Sequence, residues 1–414
     1  MRFASLIFIF WPHWWLAFTT KAAIVPSLDK PSIESIESIQ NQTQTKIQFQ
    51  IQAGDTNSTL KLVHVVFRHG PRTPVNTYPK DPHINNTYEP YGWGHLTNSG
   101  KVELYKIGKQ LRQRYKDFLE PYYKPDMIHA QSTESPRTLM SLQMLLAGFF
   151  PPENTPMEWS YLLNWQPIPI YMDREENDLR LRQMVPCPRY DEAVREVMNF
   201  PEVKKLHEDN SKLLQELTEI TGLNVTYAHD VTNVFISLHA EQSYGLKLPQ
   251  WTKDYYPDRM RSLAAKSYQY DAYTLELRKL KGGYFLDHMF KEMQAKVAGT
   301  LEPTNRKMFI MCGHDWTIAN VLAALNIWLD EMLSFSALIA FELHQRNDSD
   351  EYFVEIYFQN DPNGELKQMQ VPGCGKQCPL EKIQELSQNV LPDAPYEQLC
   401  TAKGTIEGAR ISYH

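Results

Sequence analysis

The apolar and polar positions of this chain fall into repeated blocks, in which an apolar run ends at a polar turn and a helical pattern follows. The first run, LKLVHVVF, ends at Arg68 and His69. An apolar, β-rich run bounded by glycine and proline is typical of a buried strand that leads into a loop. The next segment, LTNSGKVELYKIGKQLRQRYKDFL, places Leu104 and Ile107 on one helical face, with Thr97 as the predicted cap.

The same block recurs twice further along the chain. DMIHAQSTESPRTLMSLQMLLAGFF turns at Arg137, and KMFIMCGHDWTIANVLAALNIW contains a predicted strand over 308–312 that leads to His314 and Asp315. Repeats of strand, turn and helix indicate a parallel α/β sheet, whose ligands bind outside the carboxyl ends of the strands. The three polar turns are therefore predicted to meet at one edge of the sheet.

The pattern changes between residues 152 and 300, where amphipathic helical stretches, aromatic residues and scattered prolines replace strong strands. We predict that 152–300 is a mostly helical cap inserted into an α/β catalytic domain formed by 60–151 and 301–414. After the third block, FSALIAFELHQ and EYFVEIYFQN flank the turn-rich RNDSD. This arrangement predicts a β-hairpin at the sheet edge.

The amino-terminal segment MRFASLIFIFWPHWWLAFTTKAA has the layout of a secretory signal peptide, predicted to span residues 1–22. A membrane anchor is the alternative, but Pro12 and His13 interrupt the apolar run and leave it short for a bilayer span. Residues 23–59 are polar and repetitive, which predicts a flexible leader or pro-segment. The carboxyl-terminal residues are polar, with no tail anchor, so we expect a soluble, exported protein without a membrane anchor.

N-glycosylation triplets agree with export, because several of them in one chain indicate passage through the secretory route. The acceptor residues are Asn41, Asn57, Asn85, Asn224 and Asn347.

The five cysteines are also consistent with an oxidising compartment. Cys374 and Cys378 are close enough for a local disulfide loop. Cys312 lies in an apolar strand and is predicted to be buried and free, which leaves Cys187 to pair with Cys400. A zinc site in CGKQC would need two more ligands nearby, and the following residues supply none.

Composition restricts the kind of ligand. The net charge of −7 excludes the global basic field of a nucleic-acid-binding protein, so any anion site must be local. At the predicted sheet edge, Arg68, Arg72 and Arg137 would surround His69 and His314. Arginine suits tetrahedral oxyanions because its planar fork donates paired hydrogen bonds and stays charged. These residues predict a site for a phosphoryl group.

The chemistry follows from the same turns. A neutral imidazole of His69 could attack phosphorus and form a phosphohistidine, which water then hydrolyses. Asp315 could protonate the departing ester oxygen and later accept a proton from the attacking water. This scheme requires no cofactor and no metal, and the chain has no HExxH motif.

The motifs LVHVVFRHGPRTP, STESPRT and GHDWT, in this order, resemble those of the histidine acid phosphatases, the family that includes the prostatic and lysosomal enzymes. The resemblance continues through GWGHLTNSGKVELYKIGKQLRQRY, VPCPRYDE and PGCGKQCPLEKIQEL, from about residue 60 to 400. It implies an α/β fold with a mixed, largely parallel sheet flanked by helices and a smaller helical cap. It also implies a metal-independent phosphatase that acts on small-molecule phosphate monoesters at acid pH.

Residue roles follow from the resemblance. His69 would be the nucleophile and Asp315 the proton donor, and the phosphate-binding residues would be Arg68, Arg72, Arg137 and His314. Family members are often dimeric, so we expect that this chain could form a homodimer with a second copy of itself. Two features depart from the family: Ser135 and Pro136 precede Arg137 where relatives often have other residues, and one disulfide common in vertebrate relatives is absent. The missing carboxyl-terminal anchor favours a secreted form, similar to insect salivary or venom acid phosphatases.

Alternative functions remain at this stage. The substrate could be narrower, an inositol polyphosphate or a lysophospholipid, although the cap is not notably rich in lysine. A non-catalytic secreted phosphate- or lipid-binding protein is the alternative from another class, and it predicts loss of His69 or Asp315, both of which are present.

Other conspicuous residues are interpreted as structural. His64 and His129 lie on or beside apolar strands and are expected to be core histidines. Trp165, Trp251 and Tyr284 could line a substrate entrance, but packing is the favoured interpretation. The mixed-charge run DREENDLRLRQ is expected to be solvated surface.

Overall fold

A computed structural model describes residues 58–404 of the chain. The predicted signal peptide, most of the predicted leader, and the acceptors Asn41 and Asn57 lie outside the described residues. Among residues 58–404, no helix combines the length and apolar character needed to cross a membrane.

A single mixed β-sheet forms the centre of the described structure. Its strands are β1 (Ser58–Arg68), β2 (Ile128–Ser132), β3 (Met308–Gly313), β4 (Leu338–Arg346), β5 (Tyr352–Gln359), β6 (Lys367–Met369) and β7 (Cys378–Pro379). The order is β2-β3-β1-β4-β5-β6, with β7 also paired to β5. Strands β2, β3 and β1 are parallel, and the remaining pairings are antiparallel. The carboxyl ends of the three parallel strands therefore lie at one edge.

The predicted mixed α/β fold is confirmed, and so is the hairpin of β4 and β5. The expected position of the hairpin at the sheet edge was wrong, because β4 lies between β1 and β5. The reason is burial on both faces of β4. Ile339 and Phe341 enter one apolar core, whereas Leu338 and Ala340 enter the other.

The helices connect and cover the strands. They are α1 (Asn98–Arg114), α2 (Pro136–Phe149), α3 (Pro188–Met198), α4 (Pro201–Asp209), α5 (Ser211–Thr221), α6 (Ala228–Tyr244), α7 (Thr252–Tyr255), α8 (Asp258–Tyr270), α9 (Leu275–Leu280), α10 (Gly282–Val297), α11 (Asp315–Ala324), α12 (Leu380–Ser387) and α13 (Tyr396–Leu399), with a 3₁₀ turn at Gln388–Val390. Thr97 caps α1 as predicted, since its hydroxyl accepts a hydrogen bond from the Gly100 amide.

Alternation along β1 assigns its side chains to two cores. Val63, Val65 and Phe67 face the layer of α1 and α2, whereas Leu62 and Val66 face the layer that contains α10 and α11. Helices α1 and α2 pack closely because glycines lie at their crossing. A Cβ on Gly108 would lie 2.0 Å from the Leu145 carbonyl oxygen.

The segment predicted as a helical cap is loop from residue 151 to 187 and largely helical from Pro188 to Val297. Its last helix, α10, packs on the sheet, where the rings of Phe285 and Phe341 have centroids 6.0 Å apart. That the segment is a separate domain stays a prediction.

The structure contains two disulfides, Cys187–Cys400 and Cys374–Cys378. Cys312 is buried and free. The acceptors Asn85, Asn224 and Asn347 are exposed, and their use as glycosylation sites stays a prediction.

Candidate active site

The three polar turns converge at the carboxyl ends of the parallel strands. Arg68, the last residue of β1, contacts Asp315 at the start of α11, with 2.9 Å between Nη2 and Oδ2. The rings of His69 and His314 have centroids 5.6 Å apart in an edge-on arrangement. Arg137, in the first turn of α2, lies with Nη2 3.4 Å from His314 Nδ1. Residues distant in the chain thus share one cluster, as the block pattern predicted.

His69 is held by the backbone of two neighbouring segments. Its amide donates to the Gly313 carbonyl at 3.1 Å, and its carbonyl accepts from the Ser336 amide at 3.1 Å. The ring is fixed as well, since Nδ1 lies 3.0 Å from the Gly70 carbonyl oxygen. A carbonyl only accepts, so Nδ1 carries the proton and Nε2 of the neutral ring keeps its lone pair.

The neutral form of His69 is strongly favoured. Burial, followed by the charges of Arg137, Arg68 and Arg72, holds the pKa of His69 well below its usual value of 6.5. The ring therefore keeps an unprotonated nitrogen in moderately acid solution.

Gly70 allows the turn to pack against the start of α1. A Cβ at this position would lie 3.0 Å from the Gly100 carbonyl oxygen and 3.2 Å from Leu104 Cδ2. The Gly70 amide donates to Ser141 Oγ at 3.1 Å, which ties the turn to α2. A larger side chain here would press against the first turn of α1.

His314 takes the opposite tautomer. Its Nδ1 faces the Arg137 guanidinium, which can only donate, and its Nε2 lies 3.1 Å from Thr133 Oγ1. Nε2 therefore donates to the threonine hydroxyl. Burial and the charges of Arg137 and Arg182 hold the pKa of His314 well below 6.5. His314 thus supports the cluster as a neutral ring.

The guanidinium groups are packed around one aromatic ring. The Cζ atoms of Arg68 and Arg72 lie 4.6 and 5.7 Å from the centroid of Phe335. Arg68 also donates to the Leu333 carbonyl, and Arg72 donates to the Thr73 carbonyl at 2.9 Å. These contacts position the cations, and neither removes their positive charge.

The cluster has an excess of positive charge. Burial and the neighbouring guanidinium groups lower the pKa of Arg72 to about 9, and burial together with Arg182 lowers that of Arg137 to about 10. Asp315 is the carboxylate that contacts Arg68 here. Within residues 58–404, the buried Nε atoms of Arg68, Arg72 and Arg137 have no hydrogen-bond partner. Such a site favours an anion with several acceptor oxygens.

Asp315 is positioned by three neighbours. The Tyr268 hydroxyl donates to Oδ2 at 3.3 Å, and the Trp316 amide donates to Oδ1 at 2.9 Å. Arg68 shares Oδ2. The carboxyl group thus faces the cluster with a defined orientation, as a proton donor to a leaving group requires.

Sequence reasoning missed residues that complete the site. Phe335 and Tyr268 lie in apolar or amphipathic segments without a motif. His239 from α6 stacks on Phe335 with centroids 4.9 Å apart, and burial with the charges of Arg68 and Arg72 lowers its pKa to about 4. A histidine in an amphipathic helix gave no signal of this contact.

The run DREENDLRLRQ is solvated surface only in its first half: residues 173–177 are exposed as predicted, whereas most of 178–183 is buried. Asp178 and Leu181 are fully buried. Arg180 binds Glu292, with Nη2 and Oε2 2.7 Å apart, and the charge of Arg182 acts on Arg137. The second half was misjudged because Arg180 pairs with a carboxylate far away in the chain.

The other residues interpreted as structural differ in their burial. His64 is fully buried and hydrogen-bonded to Glu292, and His129 stacks on Tyr171 with centroids 4.8 Å apart. Tyr284 is buried and Trp251 packs against the apolar core, whereas Trp165 is exposed.

Comparison with known proteins identifies relatives of this chain. Residues 59–359 match the histidine phosphatase superfamily (branch 2). The chain is 37% identical over 355 residues to the venom acid phosphatase Acph-1 of Apis mellifera, covering 84% of this chain and 90% of that protein. It is 33% identical over 346 residues to the lysosomal acid phosphatase of Homo sapiens, covering 83% and 80%.

A solved structure shares the fold. The Hafnia alvei phytase in complex with myo-inositol hexakis sulphate superposes with a TM-score of 0.64 at 16% identity, covering 84% of this chain and 99% of that one.

Proposed function

The chain belongs to branch 2 of the histidine phosphatase superfamily, and we propose that the cluster around His69 is where it hydrolyses phosphate monoesters through a phosphohistidine intermediate. Its similarity to acid phosphatases makes it a phosphoric monoester hydrolase. The observation that supports the proposed site best is the neutral His69 ring, with Nδ1 bound to the Gly70 carbonyl and Nε2 unprotonated beside cationic side chains.

Phosphate binding is assigned to the cations around His69. Arg68, Arg72 and Arg137 would donate to the phosphoryl oxygens, and His314 would orient Arg137 through its Nδ1 lone pair. These charges also stabilise the negative charge that spreads over the equatorial oxygens during transfer.

The first step is transfer to the enzyme. The Nε2 lone pair of His69 attacks phosphorus, and the bond between phosphorus and the ester oxygen breaks. Asp315 gives its proton to that oxygen, so the alcohol departs neutral.

The second step restores the enzyme. Water attacks the phosphohistidine, its proton passes to the Asp315 carboxylate, and the bond between phosphorus and Nε2 breaks. Inorganic phosphate leaves, and His69 returns to its neutral form. Because the pKa of His69 is held well below 6.5, this cycle is compatible with acid solution.

The test is to trap the intermediate. The purified chain, treated with excess chelator, is mixed with a radiolabelled phosphate monoester near pH 5 and quenched in base. We expect a protein-bound label that is stable in base and lost in acid, the behaviour of a phosphorus–nitrogen bond. An acid-stable label, or no label during steady turnover, would contradict the phosphohistidine.

We also propose that the protein is secreted. The two disulfides and the exposed acceptors Asn85 and Asn224 are compatible with an oxidising, glycosylating route. Expression of the full chain in insect cells should yield the disulfide-bonded glycoprotein in the medium. Retention inside the cells would contradict the proposal.

A homodimer is proposed for the same molecule. The loop that precedes α3 exposes a dense group of large apolar side chains, among them Trp159, Tyr161 and Leu162, with exposed fractions of 60, 88 and 80%. Patches of this kind mark interaction surfaces. Light scattering during size-exclusion chromatography should give the mass of two chains, and Tyr161→Asp with Leu162→Asp should give one.

A further inference from the structure

A second buried cluster of charged residues lies at the other end of β4. Glu342 on β4 pairs directly with Glu355 on β5 in the antiparallel register. His344 follows two residues after Glu342 and therefore lies on the same face of the sheet. Both glutamates are about 95% buried, at 4 and 5% exposure. We propose that Glu342, His344 and Glu355 bind one zinc ion.

The distances in this cluster favour a shared ion. His344 Nε2 lies 3.4 Å from Glu342 Oε2 and 3.8 Å from Glu355 Oε2, and one ligand atom from each residue lies within 4.8 Å of the others. The contact with Glu342 is a long hydrogen bond, since an N–H···O bond is usually about 2.7–3.2 Å long. Ligands at about 2.0–2.2 Å from a tetrahedral zinc ion are about 3.3–3.6 Å apart, which is close to the two distances from His344 Nε2. The two carboxylate oxygens, within 4.8 Å of each other, would move to this spacing when the ion binds.

The carboxylate of Glu342 is oriented by hydrogen bonds to the oxygen that faces away from His344. Arg114 Nη2 and the Tyr115 hydroxyl both lie 2.8 Å from Glu342 Oε1, which leaves Oε2 directed toward His344. Metal-binding carboxylates are commonly oriented by such outer contacts.

Glu355 is oriented in the same way. Gln377 donates to Oε1 at 2.9 Å, and the Tyr357 hydroxyl donates to Oε2 at 2.6 Å. An ionised carboxylate oxygen has two acceptor sites, so Oε2 can accept this hydrogen bond and still bind an ion.

The charge of the cluster and the types of its ligand atoms favour a zinc ion. Two carboxylates beside the single guanidinium of Arg114 leave one negative charge when His344 is neutral. One imidazole and two carboxylates are ligands that zinc accepts in three-ligand sites, with water in the fourth position. His344 is 13% exposed, which gives the ion and that water access.

The ring of His344 is oriented but not completely supported. It stacks on Phe353 with centroids 5.2 Å apart and planes within 11°. Its Nδ1 has no hydrogen-bond partner in the described part of the chain. Loss of such an outer contact typically weakens metal binding about 10- to 100-fold, so we expect weaker binding than in a zinc site whose histidine is supported on both ring nitrogens.

The site is distinct from the cluster around His69. Leu338 of β4 pairs with Phe67, next to the active-site turn, and His344 lies six residues further along the strand. At about 3.3 Å per residue, roughly 20 Å separate the two. The inference therefore goes beyond the proposed hydrolysis and does not depend on it.

The test is a zinc titration of the purified full chain after removal of metals, in a non-chelating buffer at pH 7.5. Isothermal titration calorimetry should show one high-affinity equivalent per chain, and the thermal midpoint should rise with zinc. His344→Gln should weaken this binding at least about tenfold. The matched control is His83→Gln, another partly buried histidine outside the cluster, which should bind as the wild type does.

Absence of a stoichiometric equivalent in the wild type, or the same affinity in His344→Gln, would overturn the proposal. If His344→Gln fails to fold, X-ray absorption of the zinc-loaded wild type decides the question. One nitrogen and two carboxylate oxygens from the chain at about 2.0–2.2 Å are expected, and a shell of sulfur or of several histidines would overturn the proposal. Phosphatase activity should not change with zinc bound at this site.

Discussion

Two buried histidines, one within β1 and one directly after it, lie in different surroundings. His64, in the middle of the strand, donates from Nε2 to Glu292 at 2.8 Å, and Arg180 binds both oxygens of the same carboxylate. His69, just after the strand, lies among three guanidinium groups and contacts no carboxylate in the described structure. The first ring joins the ion pair of Glu292 and Arg180 through a hydrogen bond, whereas the second leaves its free nitrogen beside an excess of positive charge.

The difference shows that burial of a histidine does not decide its role. Both rings have lowered pKa values, and burial is the largest cause in each case. At His64 the carboxylate opposes the shift, and at His69 the neighbouring cations increase it. The charge of the neighbouring side chains therefore distinguishes a structural histidine from a candidate nucleophile.

Turnover should show the largest difference between substitution of His69 and substitution of His64. His69→Ala removes the proposed nucleophile and should lower kcat for p-nitrophenyl phosphate by about 10³-fold or more. His64→Ala should keep kcat within a few-fold of wild type, because its ring contacts Glu292 and Phe309 rather than the cluster. Steady-state kinetics on both variants provide the measurement. Comparable losses in the two variants would remove the distinction.

Asp315 tests whether the cluster performs acid catalysis. Asp315→Asn keeps the size of the side chain but cannot give up a proton, so phenyl phosphate should slow about 10²-fold. p-Nitrophenyl phosphate, whose leaving group needs little protonation, should slow much less. The ratio of kcat/KM for the two esters is the measurement. An equal decrease for both esters would mean that Asp315 is not the proton donor.

Substitution of His64 should lower the stability of the protein more than substitution of His69, the reverse of their expected effects on turnover. His64→Ala leaves a cavity beside Phe309 and removes one hydrogen-bond partner of Glu292, which should lower the free energy of unfolding by about 2–4 kcal/mol. His69→Ala removes a neutral ring that hydrogen-bonds the Gly70 carbonyl rather than a buried carboxylate, and should cost less. Urea unfolding at pH 7.5 compares the two variants. A larger loss for His69→Ala would contradict the interpretation of His64 as the structural residue.

The sequence was sufficient for the sheet edge and its polar turns, because each turn follows an apolar strand and adjoins a helical pattern. Arg68, Arg137 and Asp315 come together for that reason. Side chains from other segments were not predictable. Phe335 and Tyr268 reach the cluster from a loop and from α8, and no local period marks a contact across such a separation.

Long-range ion pairs caused the clearest error. Arg180 and Asp178 looked like solvated residues because their run has mixed charge, yet Arg180 pairs with Glu292 on α10. The interior position of β4 was missed for a related reason. The apolar pattern of a hairpin indicates that its two strands pair with each other. It does not show that β4 also pairs with β1 on its other side.

The smallest expected effect concerns the pH dependence of stability. In the unfolded chain each histidine takes up a proton near its usual pKa of 6.5, whereas the buried rings of His64 and His69 resist protonation. The unfolded state then binds more protons, so the free energy of unfolding falls as the pH drops below 6.5. Each ring contributes at most about 1.4 kcal/mol per pH unit.

Glu292 should not add to this loss at moderately acid pH. Burial opposes its ionisation, but the hydrogen bond from His64 and the charge of Arg180 lower its pKa to about 2. Its stabilising contribution is present above the unfolded pKa of about 4.3 and is lost only as the pH falls toward 2. Urea unfolding of wild type, His64→Ala and His69→Ala at pH 6.5 and 5.5 should therefore show a shallower pH dependence in both variants. The reduction should be at least as large for His69→Ala, because cations lower its pKa further. If the dependence in His69→Ala equals that of wild type, the ring takes up its proton normally in the folded state and is not the neutral nucleophile.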